Sequence, residues 1–324
     1  MSLAVSIIAR RETLAEAVEA LADRYWNNEP IEDLVSGLTQ TFDSLITDLW
    51  QQHFNEISGC ALFAVGGYGR AELHPGSDID ILVLAEKPER LREAIEAFLR
   101  DVFDLNVEVG HSVRDIKTCI KECRGDITVA TALFERRFLS GDASLIAPLD
   151  KALQHRKIWP IEDFFLAKRD EQVARHRHYD NVDYNLEPNI KTSPGGLRDI
   201  HTTLWICNRQ FGTTDIEELV RLEVLTDIEG RWLKDGKRFL WWVRYGLHTL
   251  AGRKEDQLHF ARQRELSQRL GFIDTESKSA VELFMQHYYR HVMALSEVND
   301  IILQYFQEDI VAKKKPTMEP LNER

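Results

Sequence analysis

Cysteine is scarce in this chain, basic side chains are outnumbered, and no apolar run is long enough to span a membrane. The four cysteines among 324 residues, Cys60, Cys119, Cys123 and Cys207, contain no Cys-x-x-Cys pair. Cys119 and Cys123 are one helical turn apart, a spacing that suits a helix face better than a zinc site with no second pair. Reduced thiols are expected. A membrane-spanning helix needs about 20 apolar residues in a row, and the first residues lack the basic-then-apolar order of a signal peptide. A soluble, cytoplasmic protein without a membrane partner is therefore expected. Lysine and arginine total 41 against 53 aspartates and glutamates, a formal charge of −12. Binding to a phosphate backbone requires a basic face, so no nucleic-acid partner is expected, and a protein or small-molecule acceptor fits better.

Apolar residues make up 44% of the chain, enough to build two or three compact units. The organising stretch is residues 58–84. An apolar run, Ala61 to Val65, reads as a buried strand that Gly66-Gly67 breaks, and a second run, Ile79 to Leu84, follows a polar turn. Side chains alternate along a strand, so Asp78 and Asp80 share one face while Ile79 and Ile81 enter the core. Two carboxylates about 6–7 Å apart on one face suit hard divalent cations such as Mg²⁺. Gly66 and Gly67 lack a β-carbon, so their N–H groups can approach an anion closely.

Residues 1–57 read as two helices, with Leu14, Val18 and Leu21 on the first and Leu34, Leu38, Phe42, Leu45 and Leu49 on the second. Asn27 to Pro30 forms the turn between them. An amphipathic helix is expected over Glu89 to Val102, and another over Asp126 to Leu139, where Glu135, Arg136 and Arg137 read as a solvated face, although Thr131 to Gly141 resembles a stretch that closes the nucleotide pocket in a nucleotidyltransferase family. From 142 onward the periodicity is helical, with long stretches at 161–180, 226–252 and 276–308. One interruption, Leu186 to Trp205, looks chemical. Ser193 can cap a helix beginning Pro194-Gly195-Gly196 with the core stripe Leu197, Ile200 and Leu204. Flanked by Lys191 and Arg198, that N-terminus reads either as an anion site or as an ordinary capped helix. His176 and His178, two residues apart, make a poor metal pair, and Lys313-Lys314-Lys315 opens a frayed tail.

The spacing Gly-Gly, ten residues, Asp-Ile-Asp-Ile resembles the nucleotidyltransferase superfamily that includes DNA polymerase β. In that superfamily a third carboxylate sits on a neighbouring strand, and here Leu105-Asn106-Val107-Glu108-Val109 supplies it as Glu108. A closer resemblance is carried by Gly66-Gly-Tyr-Gly-Arg-Ala-Glu-Leu-His-Pro-Gly-Ser-Asp-Ile-Asp80, Glu108-Val-Gly-His-Ser-Val-Arg114, Glu187-Pro-Asn-Ile-Lys-Thr-Ser-Pro-Gly-Gly-Leu-Arg-Asp199 and Phe284-Met-Gln-His-Tyr-Tyr-Arg290. Together, from about residue 14 to 308, these resemble the bacterial PII uridylyltransferase/uridylyl-removing enzymes. Glutamine-synthetase adenylyltransferases share the first motif.

The resemblance implies an α+β chain: a polymerase-β-like nucleotidyltransferase sheet domain over 58–140, flanked by the helices of 1–57, then an all-helical domain over 141–310 and a tail over 311–324. It implies transfer of UMP from UTP to a tyrosine hydroxyl of the PII signalling protein. Asp78, Asp80 and Glu108 would hold two Mg²⁺ ions, with Mn²⁺ as a substitute, and Gly66, Gly67, Arg70 and Ser77 would hold the triphosphate. Lys191, Gly195, Gly196 and Arg198 would face the nucleotide from the helical half. The motifs do not read the base, so an adenylyltransferase and a silent PII-binding module stand beside this reading. None of the 11 histidines is followed by aspartate. The family's His-Asp phosphohydrolase and glutamine-sensing ACT domains are accordingly expected to lie outside this chain.

Overall fold

Every residue of β1 (Cys60–Val65) is buried, because the strand has a partner on each edge and helices on each face. The structure is a computed structural model that describes residues 3–55, 57–154, 158–179 and 186–313. β2 (Ile79–Ala85) and β4 (Arg137–Gly141) flank β1 antiparallel, and β3 (Val109–Arg114) lies parallel to β2, giving the order β3-β2-β1-β4. The α+β expectation is met.

The alternation along β1 and β2 divides two cores. On one face Cys60, Leu62 and Ala64 join Ile79, Ile81, Val83 and Ala85 beneath α1 (Leu3–Trp26) and α2 (Ile31–Phe54). Leu34, Leu38, Ile46 and Leu49 on α2 are fully buried, each contributing about 1.5–3 kcal/mol of apolar burial. A single helical turn, α3 (Gly66–Gly69), follows β1, and α4 (Arg92–Phe103) after β2 adds Ile95, Phe98 and Val102 to this core. The two helices of residues 1–57 thus cover this face of the sheet.

The opposite face is also a core. Ala61, Phe63, Val65, Leu82 and Leu84 pack with residues of α5 (Ile116–Gly125), α6 (Ile127–Phe134) and α7 (Ile146–Leu153). Cys119 and Cys123 are buried on α5, where burial pushes the Cys119 thiol up to about 11. The helix expected over Asp126–Leu139 is shorter and ends at Phe134. A β-carbon on Gly69 would stand 2.2 Å from the Glu135 carbonyl oxygen, so the chain turns tightly there and Arg137–Gly141 becomes the second partner of β1. Nor is 135–137 a solvated face. Glu135 pairs with Arg70, Arg136 with Asp150, and Arg137 with Asp43.

The remaining helices are α8 (Ile161–Arg177), α9 (Leu197–Phe211), α10 (Ile216–Arg221), α11 (Asp227–Ala251), α12 (Phe260–Arg269) and α13 (Ala280–Lys313). The chain groups into two compact units, 1–159 with 241–284, and 160–240 with 285 onward. The run 141–310, expected as one helical domain, is therefore divided between them. In the first unit Tyr245 completes the α1–α2 core and the Tyr25 hydroxyl donates to the Trp242 carbonyl at 2.8 Å. In the second, α8 packs on α9, and Leu197, Ile200 and Leu204 form the expected buried stripe. Residues 314–324, most of the expected tail, lie outside the described residues.

Candidate active site

Asp80 stands where β2 enters the sheet, level with Val65 on β1 and Gly110 on β3. Its carboxylate lies between two glycines. A β-carbon on Gly66 would be 3.3 Å from Oδ2, and one on Gly110 would be 2.0 Å from Oδ1. Gly110 is therefore the space that Asp80 occupies, and any larger residue there displaces the carboxylate. Gly66 has φ +57°, a left-handed backbone that glycine adopts without penalty. Its conformation turns the chain out of β1 beside Asp80. Gly67 has more room, since a β-carbon there would meet only Arg70 Nη2, at 3.7 Å.

The turn that delivers Asp78 is closed by Ser77, whose N–H donates to the His74 carbonyl at 2.8 Å and whose Oγ accepts the His74 N–H at 3.0 Å. Ser77 thus sits beside Asp78 with its hydroxyl proton still able to donate. One residue earlier, the Gly76 N–H donates to His248 Nδ1 at 3.0 Å. That bond makes Nδ1 an acceptor, so the neutral ring carries its proton on Nε2, facing Asp256 Oδ1 at 3.2 Å. Arg244 Nε donates to the same oxygen at 2.7 Å, and its Nη1 lies 3.3 Å from His74 Nδ1. Burial, reinforced by the Arg244 charge, holds the His74 imidazole well below its usual range. Burial also holds His248 down, against the pull of Asp256. Burial would raise Asp256, but the His248 hydrogen bond and the Arg244 charge outweigh it and leave the carboxyl below the usual range. A largely buried node of His74, Arg244, His248 and Asp256 therefore ties the turn at 74–78 to the segment 244–256.

From that segment Lys254 reaches Asp78, with Nζ 3.2 Å from Oδ1. The backbone is as close as the side chain, because a β-carbon on Gly76 would stand 2.3 Å from Lys254 N. Lys254, Arg244, His248, Asp256, Gly76 and Gly110 were not singled out from the sequence. The available signals were Gly252 followed by four charged residues at the end of a helical run, and a glycine two residues after Glu108.

Glu108 is one step outside β3, and its carbonyl accepts the Ile79 N–H at 2.9 Å. The parallel register places it level with Asp78, with its side chain exposed. Asp78, Asp80 and Glu108 therefore share one edge of the sheet. Among the described residues no group of three His, Cys, Asp or Glu side chains is drawn together as a metal site. The donor chemistry suits a hard cation, and the glycine cradle leaves the Asp80 carboxylate uncovered by any side chain at 66 or 110. Asp78, Asp80 and Glu108 are the residues whose chemistry could hold such a cation.

Arg70, expected at the triphosphate, is directed to Glu72 and Glu135, each at 2.7 Å. Burial alone would lower its pKa, but the two carboxylates raise it above the usual value. It braces the Gly66–Gly69 turn against the end of α6.

Lys191, Gly195, Gly196 and Arg198 belong to the second unit. Here the expected anion site is not built from backbone donors. The helix begins at Leu197, not at Pro194, and Ser193 does not cap it. The Gly195 N–H donates to Asp199 Oδ2 at 2.7 Å, and those of Gly196, Leu197 and Arg198 go to the carbonyls of Ser193, Ile190 and Lys191. Asp199 is buried and also takes Arg175 at 2.7 Å and His176 at 3.0 Å. Gly195, at φ +70°, is pressed on α13, and a β-carbon would lie 2.4 Å from the Val292 carbonyl oxygen. The Arg198 guanidinium lies over the Trp205 ring, 5.4 Å from its centroid.

Family models match two stretches of the chain. Residues 50–139, which hold the Asp78–Asp80 edge, match the family model described as Nucleotidyltransferase domain. Residues 163–303 match the model described as GlnD PII-uridylyltransferase. The chain carries a nucleotidyltransferase domain. Over 322 residues, 98% of its length, it is 45% identical to the bifunctional uridylyltransferase/uridylyl-removing enzyme of Pseudomonas aeruginosa (strain LESB58). Over the same share it is 44% identical to the enzyme of that name from Pseudomonas putida (strain ATCC 700007) and 42% to that from Pseudomonas fluorescens (strain SBW25). It spans 36% of the length of each of these relatives. No helix among the described residues is long and apolar enough to cross a membrane.

Proposed function

We propose that this chain transfers UMP from UTP to a tyrosine hydroxyl of a PII signalling protein, releasing pyrophosphate, at the edge formed by Asp78, Asp80 and Glu108. The observation that carries the reading is the cradle of Asp80: Gly66, just past β1, and Gly110 on β3 leave room for the carboxylate where β2 enters the sheet, beside a glycine turn suited to phosphate. Asp78 and Asp80 hold divalent cation, Mg²⁺ or Mn²⁺, with Glu108 as the third carboxylate. When bound, the metal stabilises charge at the α-phosphate and acidifies the attacking hydroxyl. The tyrosine oxygen bonds to the α-phosphorus, the bond from that phosphorus to the bridging oxygen breaks, and pyrophosphate leaves with that oxygen. Glu108, exposed and level with Asp78, accepts the tyrosine proton. Gly66 and Gly67 offer backbone donors to the phosphates, and the Ser77 hydroxyl offers another. Arg70 acts through its brace of the glycine turn, as a positioning residue.

The test is label transfer from [α-³²P]UTP or [α-³²P]ATP to purified PII, with a tyrosine-to-phenylalanine PII as control. Label from UTP alone, absent from the phenylalanine form, is expected. Label from ATP alone would make the chain an adenylyltransferase. UTP binding without transfer would leave it a PII-binding module.

A further inference from the structure

Lys254 and Asp78 form an ion pair whose two ends differ in rigidity. The charged groups are open to solvent, with side chains 34% and 42% exposed, and water screens such a pair until little holds it. The backbone beneath is fixed. Asp256, two residues on, is clamped by Arg244 and His248, whose side chains are 9% and 0% exposed. Lys254 N itself abuts the face of Gly76, where a β-carbon would lie 2.3 Å away. A flexible four-carbon stem on a rigid base, ending in a compact ammonium, is suited to exchange partners without moving the chain.

The chemistry of the edge supplies the exchange. Asp78 and Asp80 lie on one face, and adjacent carboxylates without a counter-charge repel. An ammonium on Asp78 supplies one positive charge. A divalent cation supplies two, repels the ammonium at short range, and is accompanied by a polyanionic triphosphate that attracts it.

We propose that Lys254 is an exchangeable counter-ion: it holds Asp78 in the metal-free chain and transfers to the phosphates of the nucleoside triphosphate when metal takes Asp78. The second half of this inference rests on the nucleotidyltransfer reading above, and the first does not. Lys254 is thereby a substrate-binding residue as well as a competitor of the metal.

The test compares wild type with Lys254→Met and Lys254→Arg, all with equal melting temperatures. Mn²⁺ binding is followed by electron paramagnetic resonance without nucleotide, and UTP binding by calorimetry with Mg²⁺. Removing an exposed charge of this kind should tighten Mn²⁺ binding by about fivefold. In the same variant UTP binding weakens by roughly tenfold, the size of a charge-assisted phosphate contact. Lys254→Arg stays within about twofold of wild type in both, because it keeps the charge. Unchanged Mn²⁺ affinity in Lys254→Met overturns the inference even if uridylyl transfer proceeds normally, and so does weaker UTP binding without tighter Mn²⁺ binding. Tighter Mn²⁺ and weaker UTP binding in a chain that transfers no UMP to PII would uphold the exchange and overturn the transfer reading instead.

Discussion

Two glycine pairs beside charged residues occur in this chain, and the structure uses them in opposite ways. At Gly66-Gly67 the glycines open space: Gly66 borders the Asp80 carboxylate, and little crowds Gly67. At Gly195-Gly196 they allow close packing. Gly195 is pressed against the Val292 backbone, and a β-carbon on Gly196 would be 2.8 Å from two carbonyl oxygens. The N–H groups of 195–198 all end on acceptors within the chain. Residue pattern alone does not separate a ligand cradle from a packing joint. The internal partners of the 195–198 donors mark the second pair as a packing joint.

The largest effect that would sharpen this contrast is expected at Asp78. Asp78→Asn keeps the volume and removes a ligand charge, so UMP transfer to PII should fall on the order of a thousandfold, while thermal melting stays at the wild-type temperature. Gly110→Ala comes next. Its β-carbon meets only the movable Asp80 side chain and, within 4 Å, Asp80 Cα. A displaced carboxylate should slow transfer by about a hundredfold, with little loss in urea stability.

Gly195→Ala should show the inverse. Its positive φ and the Val292 contact cost about 1–3 kcal/mol of stability, read from urea midpoints, whereas the Michaelis constant for UTP in the folded protein stays at the wild-type value. A large rise in that constant without loss of stability would break the comparison, by making the second glycine pair a ligand site after all.

The smallest effect concerns pH. His74 and His248 have folded-state pKa values below the ordinary 6.5, so on acidification the unfolded chain takes up protons that the folded chain refuses. Their contribution is complete above 6.5 and is lost as pH falls below it, by up to about 1.4 kcal/mol per pH unit for each histidine. Urea midpoints measured across this range should fall on the acid side, and His248→Gln should flatten the slope.

Much of the first site was legible because its signals are local. The period-two alternation placed Asp78 and Asp80 on one face, and Gly66 ended β1 where the pattern broke. What was hidden depends on distant partners. Arg137–Gly141 continues a helical pattern in sequence and becomes a strand only because β1 needs a second neighbour. Lys254 is 176 positions from Asp78, beyond any periodicity argument. Ser193 reads as a helix cap in sequence and is not one for a related reason: its hydroxyl accepts the Asn189 N–H, and the buried Asp199, paired with Arg175 and His176, takes the donor of Gly195. Composition cannot tell a solvated aspartate from a buried one that holds a turn together.

The central claim, that chemistry occurs at the Asp80 cradle, is tested most directly by intact-mass spectrometry of PII after incubation with UTP and Mg²⁺, using wild-type chain and folded Asp80→Asn side by side. One uridylyl group per modified PII subunit is expected with the wild type and unmodified PII with the variant. Equal modification by both would contradict it.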